Sequence, residues 1–204
     1  MCNVYIISAP SGAGKTSLVR GLCSSLPFVK PSISFTTRKI RESEVNGKDY
    51  FFITEDAFIK KIEDNDFIEY QNVYGNMYGS TIDSVSTITS RGLDVILEID
   101  YKGMMAVKSV IPEAISIYIT PPSIEILKER LINRGEDDKD VIETRMASAS
   151  KEMDYSSYSD YVVINDKFDD ALNILRGILV FNYISNKNIA DWAKKLTYVD
   201  NSIV

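Results

Sequence analysis

Between Asn3 and Leu26 the chain passes from a short apolar stretch through a cluster of small residues straight into a helical pattern, and this junction constrains the fold more than any other feature. Asn3 to Ala9 (NVYIISA) has the profile of a strand buried on both faces. Ala9-Pro10-Ser11-Gly12-Ala13-Gly14-Lys15-Thr16 then fits the P-loop pattern G-x-x-x-x-G-K-[ST] at every fixed position except the first, where Ala9 replaces Gly. Leu18, Leu22 and Leu26 follow at i, i+4 and i+8 until Pro27 ends the helix. Small residues let such a loop curl so that successive N–H groups face inward at the positive end of the helix dipole, which makes a cradle for phosphate. Ser11, Gly12, Ala13, Gly14, Lys15, Thr16 and Ser17 are therefore candidates to hold a nucleoside triphosphate. Lys15 would reach the β- and γ-phosphates as a point charge, and the Thr16 hydroxyl would ligate Mg²⁺.

The remaining pattern builds a sheet around that loop. Asp94–Ile99 (DVILEI), Ala114–Thr120 (AISIYIT) and Tyr161–Ile164 (YVVI) read as buried strands. Helical faces separate and follow them, carried by Ile124, Leu127 and Leu131 and by Phe168, Ala171, Leu172, Leu175 and Leu179. This alternation predicts an α/β fold, a P-loop parallel sheet flanked by helices. Two stretches interrupt it. Residues 34–80, rich in Tyr, Phe, Ser, Thr and Gly, predict an inserted mixed α/β lobe with a strand near Lys48–Ile53. Residues 134–156 open with RGEDDKDVIETR and predict a mobile lid leading into a helix. The expected organisation is one domain, with a core of about 1–33, 81–133 and 157–186 and a tail over 187–204.

Charge narrows the partners. The chain carries 23 Lys and Arg against 29 Asp and Glu, a net charge of −6, which argues against general nucleic-acid binding. All 29 acids lie beyond Arg41, whereas six cations precede or occupy that position, so the N-terminal fifth is suited to receive anions. There is no His, which excludes imidazole catalysis, and two Cys are too few for a disulfide framework. The apolar run Val4–Ile7 falls far short of the ~18 residues of a membrane helix, and no secretory pattern opens the chain, so a cytoplasmic location and no membrane partner are expected.

A second anion site is legible in Ser34-Phe35-Thr36-Thr37-Arg38-Lys39-Ile40-Arg41, where two guanidinium groups stand three apart beside hydroxyls, with Tyr50 and Tyr78 as further donors. Arg forks bind phosphate oxygens bidentately and Tyr adds neutral donors, a combination suited to a phosphate monoester. With S-x-T-T-R-x-x-R-x-x-E-x-N-G-x-D-Y (Ser34 to Tyr50), F-I-E (Phe67 to Glu69), G-N-x-Y-G-S (Gly75 to Ser80), Asp100 with Gly103, P-P-S (Pro121 to Ser123), R-G (Arg134, Gly135) and I-N-D (Ile164 to Asp166), the chain resembles the guanylate kinases to about residue 185. The resemblance implies phosphorylation of GMP by ATP with Mg²⁺. It puts Arg38, Arg41, Tyr50 and Tyr78 on the GMP phosphate, Glu69 on guanine N1–H and the 2-amino group, and Ser34 and Ser80 at the base. Asp100 falls between nucleoside and metal, Arg134 and Arg145 become lid arginines over the triphosphate, and Asn165 lies beside the adenine.

Glu98 and Asp100 are two apart and are expected on one face at the carboxyl end of their strand, where Glu98, Asp in most of the family, would reach the metal through water. Ile40, Ser43 and Met77 also depart from the family pattern, and none removes a proposed ligand. A site that hydrogen-bonds a substrate group rejects an analogue lacking it by ~10⁴–10⁵, which favours GMP over AMP. Rival readings are a kinase for another monophosphate and a protein-binding scaffold. Glu69 and Ser34 oppose the first; retention of Gly14, Lys15, Thr16, Arg134 and Arg145 opposes the second.

Overall fold

In a computed structural model describing residues 2–73, 75–134 and 139–198, five parallel strands form one sheet and four shorter strands a second. The first sheet has the order β2 (Val29–Pro31), β7 (Asp94–Glu98), β1 (Val4–Ser8), β8 (Ile115–Thr120), β9 (Tyr161–Ile164). Alternation along β1 sorts its side chains between two helical layers. Tyr5 and Ile7 pack with Leu18 and Leu22 of α1 (Lys15–Ser25) and with Leu175 and Leu179 of α7 (Phe168–Tyr198). Ile6 packs on the opposite face with Val85 of α3 (Ile82–Thr89) and Met104 and Val107 of α4 (Tyr101–Val110). The strands β1, β7 and β8, buried except at their ends, thus read as nearly continuous apolar runs, as expected of a covered parallel sheet.

Chain order fixes where a ligand can sit. From β1 the chain crosses to β2 on one side, and from β7 it later returns past β1 to β8, so the connections part at the carboxyl end of β1. Crevices open at such a point in open α/β sheets, and here the glycine-rich loop occupies it.

The second sheet has the order β4 (Phe51–Phe52), β3 (Phe35–Thr36), β6 (Asn76–Thr81), β5 (Phe67–Val73), with β3 and β4 parallel and the other pairs antiparallel. Phe35, Phe51, Phe58 and Phe67 stack through it, joining α2 (Glu55–Glu63) to the strands. Only Phe51 and Phe52 of the expected Lys48–Ile53 strand form one, because Asp49 and Asn46 fold the preceding segment back through bonds to Val45 N and Phe52 N. Beyond β8, α5 (Ile124–Arg134) and α6 (Lys139–Asp154) share a small apolar cluster of Leu127, Leu131, Ile142 and Ala149. Glu136, Asp137 and Asp138 of the RGEDDKDVIETR run lie outside the described residues, as does the side chain of Arg134. The last helix, α7, is continuous through Asn186.

Candidate active site

The loop between β1 and α1 is held by its own backbone and from behind. Gly14 caps α1 at φ +89°, a conformation that costs an L side chain strain, and a Cβ there would stand 2.5 Å from Asn165 Nδ2. Asn165 is buried just after β9 and donates from Nδ2 to Ala13 O at 2.7 Å. Its side chain therefore stands behind the loop, bonded to backbone. The carbonyls of Asn165 and Asp166 are in turn fastened by the Arg130 guanidinium of α5 at 2.9 and 3.1 Å. In front, Arg145 of α6 donates from Nη1 to Ser11 Oγ at 3.0 Å, which brings an arginine expected in the lid against the glycine-rich loop.

Lys15 Nζ donates to the Ile99 carbonyl at 2.9 Å, and the Thr16 hydroxyl donates to the Glu98 carboxylate. Glu98 ends β7, but Asp100 does not share that strand. It is the N-cap of α4, its Oδ1 accepting from Gly103 N at 2.8 Å, so the expected pair on one strand face is corrected. Asp is a preferred capping residue, and the cap takes precedence over two-residue strand alternation. Among the described residues no group of three or more His, Cys, Asp or Glu side chains could hold a metal alone. A hard cation here would depend on the Thr16 and Glu98 oxygens together with substrate phosphates, the usual arrangement for Mg²⁺.

Across the cleft, the β5–β6 register sets Glu69 opposite Ser80, whose Oγ lies 3.1 Å from Ser34 Oγ. All three side chains are buried, Glu69 to 5% exposure. Burial, reinforced by Asp100, pushes the Glu69 carboxyl up to about 7, although hydrogen bonding from Ser80 and the charge of Lys15 oppose the rise. Gly103 makes room for it: a Cβ there would lie 2.8 Å from Glu69 Oε2.

Arg38 donates from Nη1 and Nη2 to the two oxygens of Glu44 at 3.0 and 2.7 Å, from Nη1 to Lys39 O at 2.8 Å, and from Nε to Tyr78 Oη at 3.2 Å. Its guanidinium also lies 5.6 Å from the centre of the Tyr50 ring. Burial raises the Tyr50 phenol, with Glu98 and Tyr78 adding to the effect, so it remains a neutral donor. Glu44 also accepts from Arg41 N at 2.9 Å and so sets both arginines. The sequence reading assigned Glu44 no role, although it is the fixed acid three residues after Arg41. Nor did it single out Arg130, or Glu152 of α6, whose carboxyl is raised by burial and then by Asp100.

These parts face one cleft of roughly 730 Å³. The loop residues Ser11, Gly12, Gly14, Lys15, Thr16 and Ser17 line it with Glu98, Asp100 and Arg145. Ser34, Arg38, Arg41, Tyr50, Glu69 and Tyr78 line its other side. Ala13, Ser80 and Asn165 stand behind that lining as support. One polar cleft thus joins an anion cradle, a hydroxyl–carboxylate pair and a guanidinium–phenol group facing a buried carboxylate.

Comparison with known proteins agrees with this geometry. The family model described as guanylate kinase matches residues 1–181. The chain is 45% identical to a guanylate kinase of Pseudomonas fluorescens (strain Pf0-1) over 90% of this chain and 89% of that one. It is 48% identical to a guanylate kinase of Coxiella burnetii over 87% and 86% of the two chains. A crystal structure of guanylate kinase from Anaplasma phagocytophilum superposes with a TM-score of 0.71 at 26% identity, covering 89% of this chain and 86% of that one. The chain belongs to the guanylate kinase family.

Proposed function

We infer that the chain carries out its family's reaction, ATP + GMP = ADP + GDP, in this cleft. The observation that carries the reading is Glu69: a buried carboxylate, flanked by the Ser34 and Ser80 hydroxyls, opening onto the same cleft as the phosphate loop. Guanine offers N1–H and a 2-amino group to such an acceptor, and adenine does not. Arg38, Arg41, Tyr50 and Tyr78 would take the acceptor phosphate. Four of the five guanidinium N–H groups of Arg38 are already used by Lys39, Glu44 and Tyr78, which leaves one for that phosphate and fixes its direction.

On the donor side, loop N–H groups from Ser11 to Ser17 and the Lys15 ammonium would cradle the ATP phosphates. Lys15 would exchange the Ile99 carbonyl for them. Mg²⁺ held beside Thr16 and Glu98 would neutralise charge on the triphosphate. Arg145 and Arg134 would close over the transferring group, while Asp100 would remain at the nucleoside through its capped position and Asn165 would support the loop near the adenine. The acceptor is already anionic, so no general base is required. In-line positioning and charge neutralisation carry the rate. The second sheet, within 34–80, acts as the GMP-binding lobe, and 134–156 as the lid whose closure limits hydrolysis of ATP.

We place the enzyme in the cytoplasm, a reading supported by the free thiols of Cys2 and Cys23; no helix among the described residues is long and apolar enough to cross a membrane. ADP release measured with ATP, Mg²⁺ and GMP, AMP, UMP or no acceptor tests the function. Release with GMP alone is expected. Equal release with AMP or UMP would remove the role given to Glu69, and no acceptor-dependent release would favour the scaffold reading.

A further inference from the structure

The second sheet is packed on the core at one edge and stands off it at the other. At the β5 edge, Ile68 packs with the apolar cluster of α3 and α4, and Glu69 lies against Gly103. The opposite edge is β4, and the segment 45–50 that leads into it faces α1 across a cavity of roughly 300 Å³, lined in part by Cys23, Ser24, Ser32 and Lys48. Arg20 of α1 spans this gap, its Nη2 donating to Asp49 Oδ1 at 2.6 Å. The second oxygen of Asp49 accepts from Val45 N at 2.8 Å, and Gly47 N donates to Tyr50 O at 2.8 Å. One carboxylate thus closes the turn that presents Tyr50 and ties that turn to α1. The Val45 N–H, opposed by burial and aided by Arg20, holds the Asp49 carboxyl below its ordinary range, so it is charged at neutral pH. Arg20 stands four residues after Thr16 on the same face of α1, and both Arg20 and Asp49 line the large cleft as well as the cavity.

We propose that the Arg20–Asp49 ion pair is a strap that positions the acceptor side of the cleft, holding the turn that carries Tyr50 at a set distance from the helix that follows the glycine-rich loop. The proposal rests on the reading of the cleft given above, in which Tyr50 meets the GMP phosphate. Arg20 and Asp49 are positioning residues in it: they touch no substrate and act through Tyr50 and the placing of its lobe. With the strap made, the phosphate site is assembled before the nucleotide arrives. With it broken, a larger share of molecules holds the 45–50 edge away from α1, and apparent GMP affinity falls by that share. The weakness of the pair suits the task. Arg20 is 69% exposed, so solvent screens the attraction, and pairs of this kind shift an equilibrium by no more than about fivefold, which lets the lobe move away and return.

The test compares the full-length wild type with Arg20→Lys, Arg20→Gln, Asp49→Asn and the double variant Arg20→Gln/Asp49→Asn. Steady-state kinetics give KM for GMP and ATP and kcat, and calorimetry gives GMP binding without ATP. Asn at 49 still offers Val45 N an acceptor, so the turn itself stays closed. Arg20→Gln and Asp49→Asn should each raise the GMP Kd and KM about two- to fivefold, and the double variant no further than either alone, because one interaction is lost in all three. The ATP KM, kcat and Tm should hold at wild-type values, and Arg20→Lys, which keeps the charge, should recover most of the GMP affinity. A wild type that neither binds nor phosphorylates GMP overturns the reading of the cleft and the strap with it. A wild type that does both, with Arg20→Gln indistinguishable from it, overturns the strap alone. So does tighter GMP binding by Asp49→Asn, which would mean that Arg20, once released, serves the phosphate directly. Effects of the two single variants that add in the double variant overturn it as well, since the two side chains would then act separately.

Discussion

At the residue scale, two charged side chains are asked to do different things. Lys15 lies on the carbonyl of Ile99, 2.9 Å away, and contributes no core packing, so its work is electrostatic. Lys15→Ala should lower kcat on the order of 10²–10³-fold, the usual cost of removing one preorganised donor from developing charge, with the circular dichroism spectrum unchanged. Near-normal turnover in that variant would take Lys15 out of the mechanism. Glu69 is the opposite case, a carboxylate whose burial is unfavourable until a ligand arrives. Its ordinary value of 4.5 rises to about 7 in the fold, so the folded chain binds a proton that the unfolded chain has released across that interval. By linkage, the stability associated with this proton is fully present below pH 4.5 and lost as pH rises through about 7. Glu69→Gln should flatten this slope and be the more stable protein above pH 7, by an amount on the order of a few kcal/mol. In the role proposed for Glu69, guanine binding requires the ionised form, so the GMP KM of the wild type should fall as pH rises toward 8. The Gln variant retains the titration of the GMP phosphate itself. An identical pH profile for both proteins would show that Glu69 does not titrate in this range.

At the scale of elements, the cap of α4 decides how close a helix comes to a strand. Asp100 starts α4 by accepting from Gly103 N, and the first turn then passes so near β5 that only a glycine at 103 clears Glu69 Oε2. Gly103→Ala should favour the helix by about 1 kcal/mol on propensity and yet displace the carboxylate by a few tenths of an ångström. Since a ~1 Å misplacement costs about 10²-fold, kcat/KM for GMP should drop on the order of tenfold while Tm holds or rises. An unchanged kcat/KM would mean that Glu69 moves freely.

The same element shows why sequence legibility was uneven. β1, α1, β7, β8 and β9 announce themselves, because a parallel sheet covered on both faces needs unbroken apolar runs and the phosphate loop needs its glycines. Short strands such as β2, β3 and β4, three or two residues long, hold no period to detect. Their places are set by Ser32 N on Ile96 O and by Phe51 N on Ser34 O, contacts between distant residues. The family motifs marked most side chains that line the cleft, but not the ones that aim them. Glu44 is an ordinary acid until it is seen clasping Arg38, and Asn165 turns out to brace the loop from behind.

At the scale of the whole molecule, the parts proposed to close over the triphosphate are attached more weakly than the parts that hold the sheet together. The sheet buries a cluster of more than a dozen apolar side chains between α1 and α7, whereas α6 is anchored to α5 by Leu127, Leu131, Ile142 and Ala149, with Met146 partly buried, and to β8 by Tyr118 Oη donating to Glu152 O at 2.7 Å. Stability in such a molecule is graded, and the smaller cluster should open first. Ile142 tests this because it is buried, touches no proposed ligand, and stands one helical turn from Arg145 on α6. Truncating a buried Ile to Ala costs about 2–5 kcal/mol, enough to undock a helix held by so few side chains. Ile142→Ala should therefore accelerate amide exchange across residues 139–154 and leave α1 and β1 protected. Turnover should fall because the Arg145 guanidinium no longer holds its position beside Ser11, while GMP binding on the far side of the cleft stays near the wild-type value. Exchange that rises evenly through the sheet and α6 together would show that the two clusters form one cooperative unit, and the lid would then have to close by moving as a rigid extension of the core.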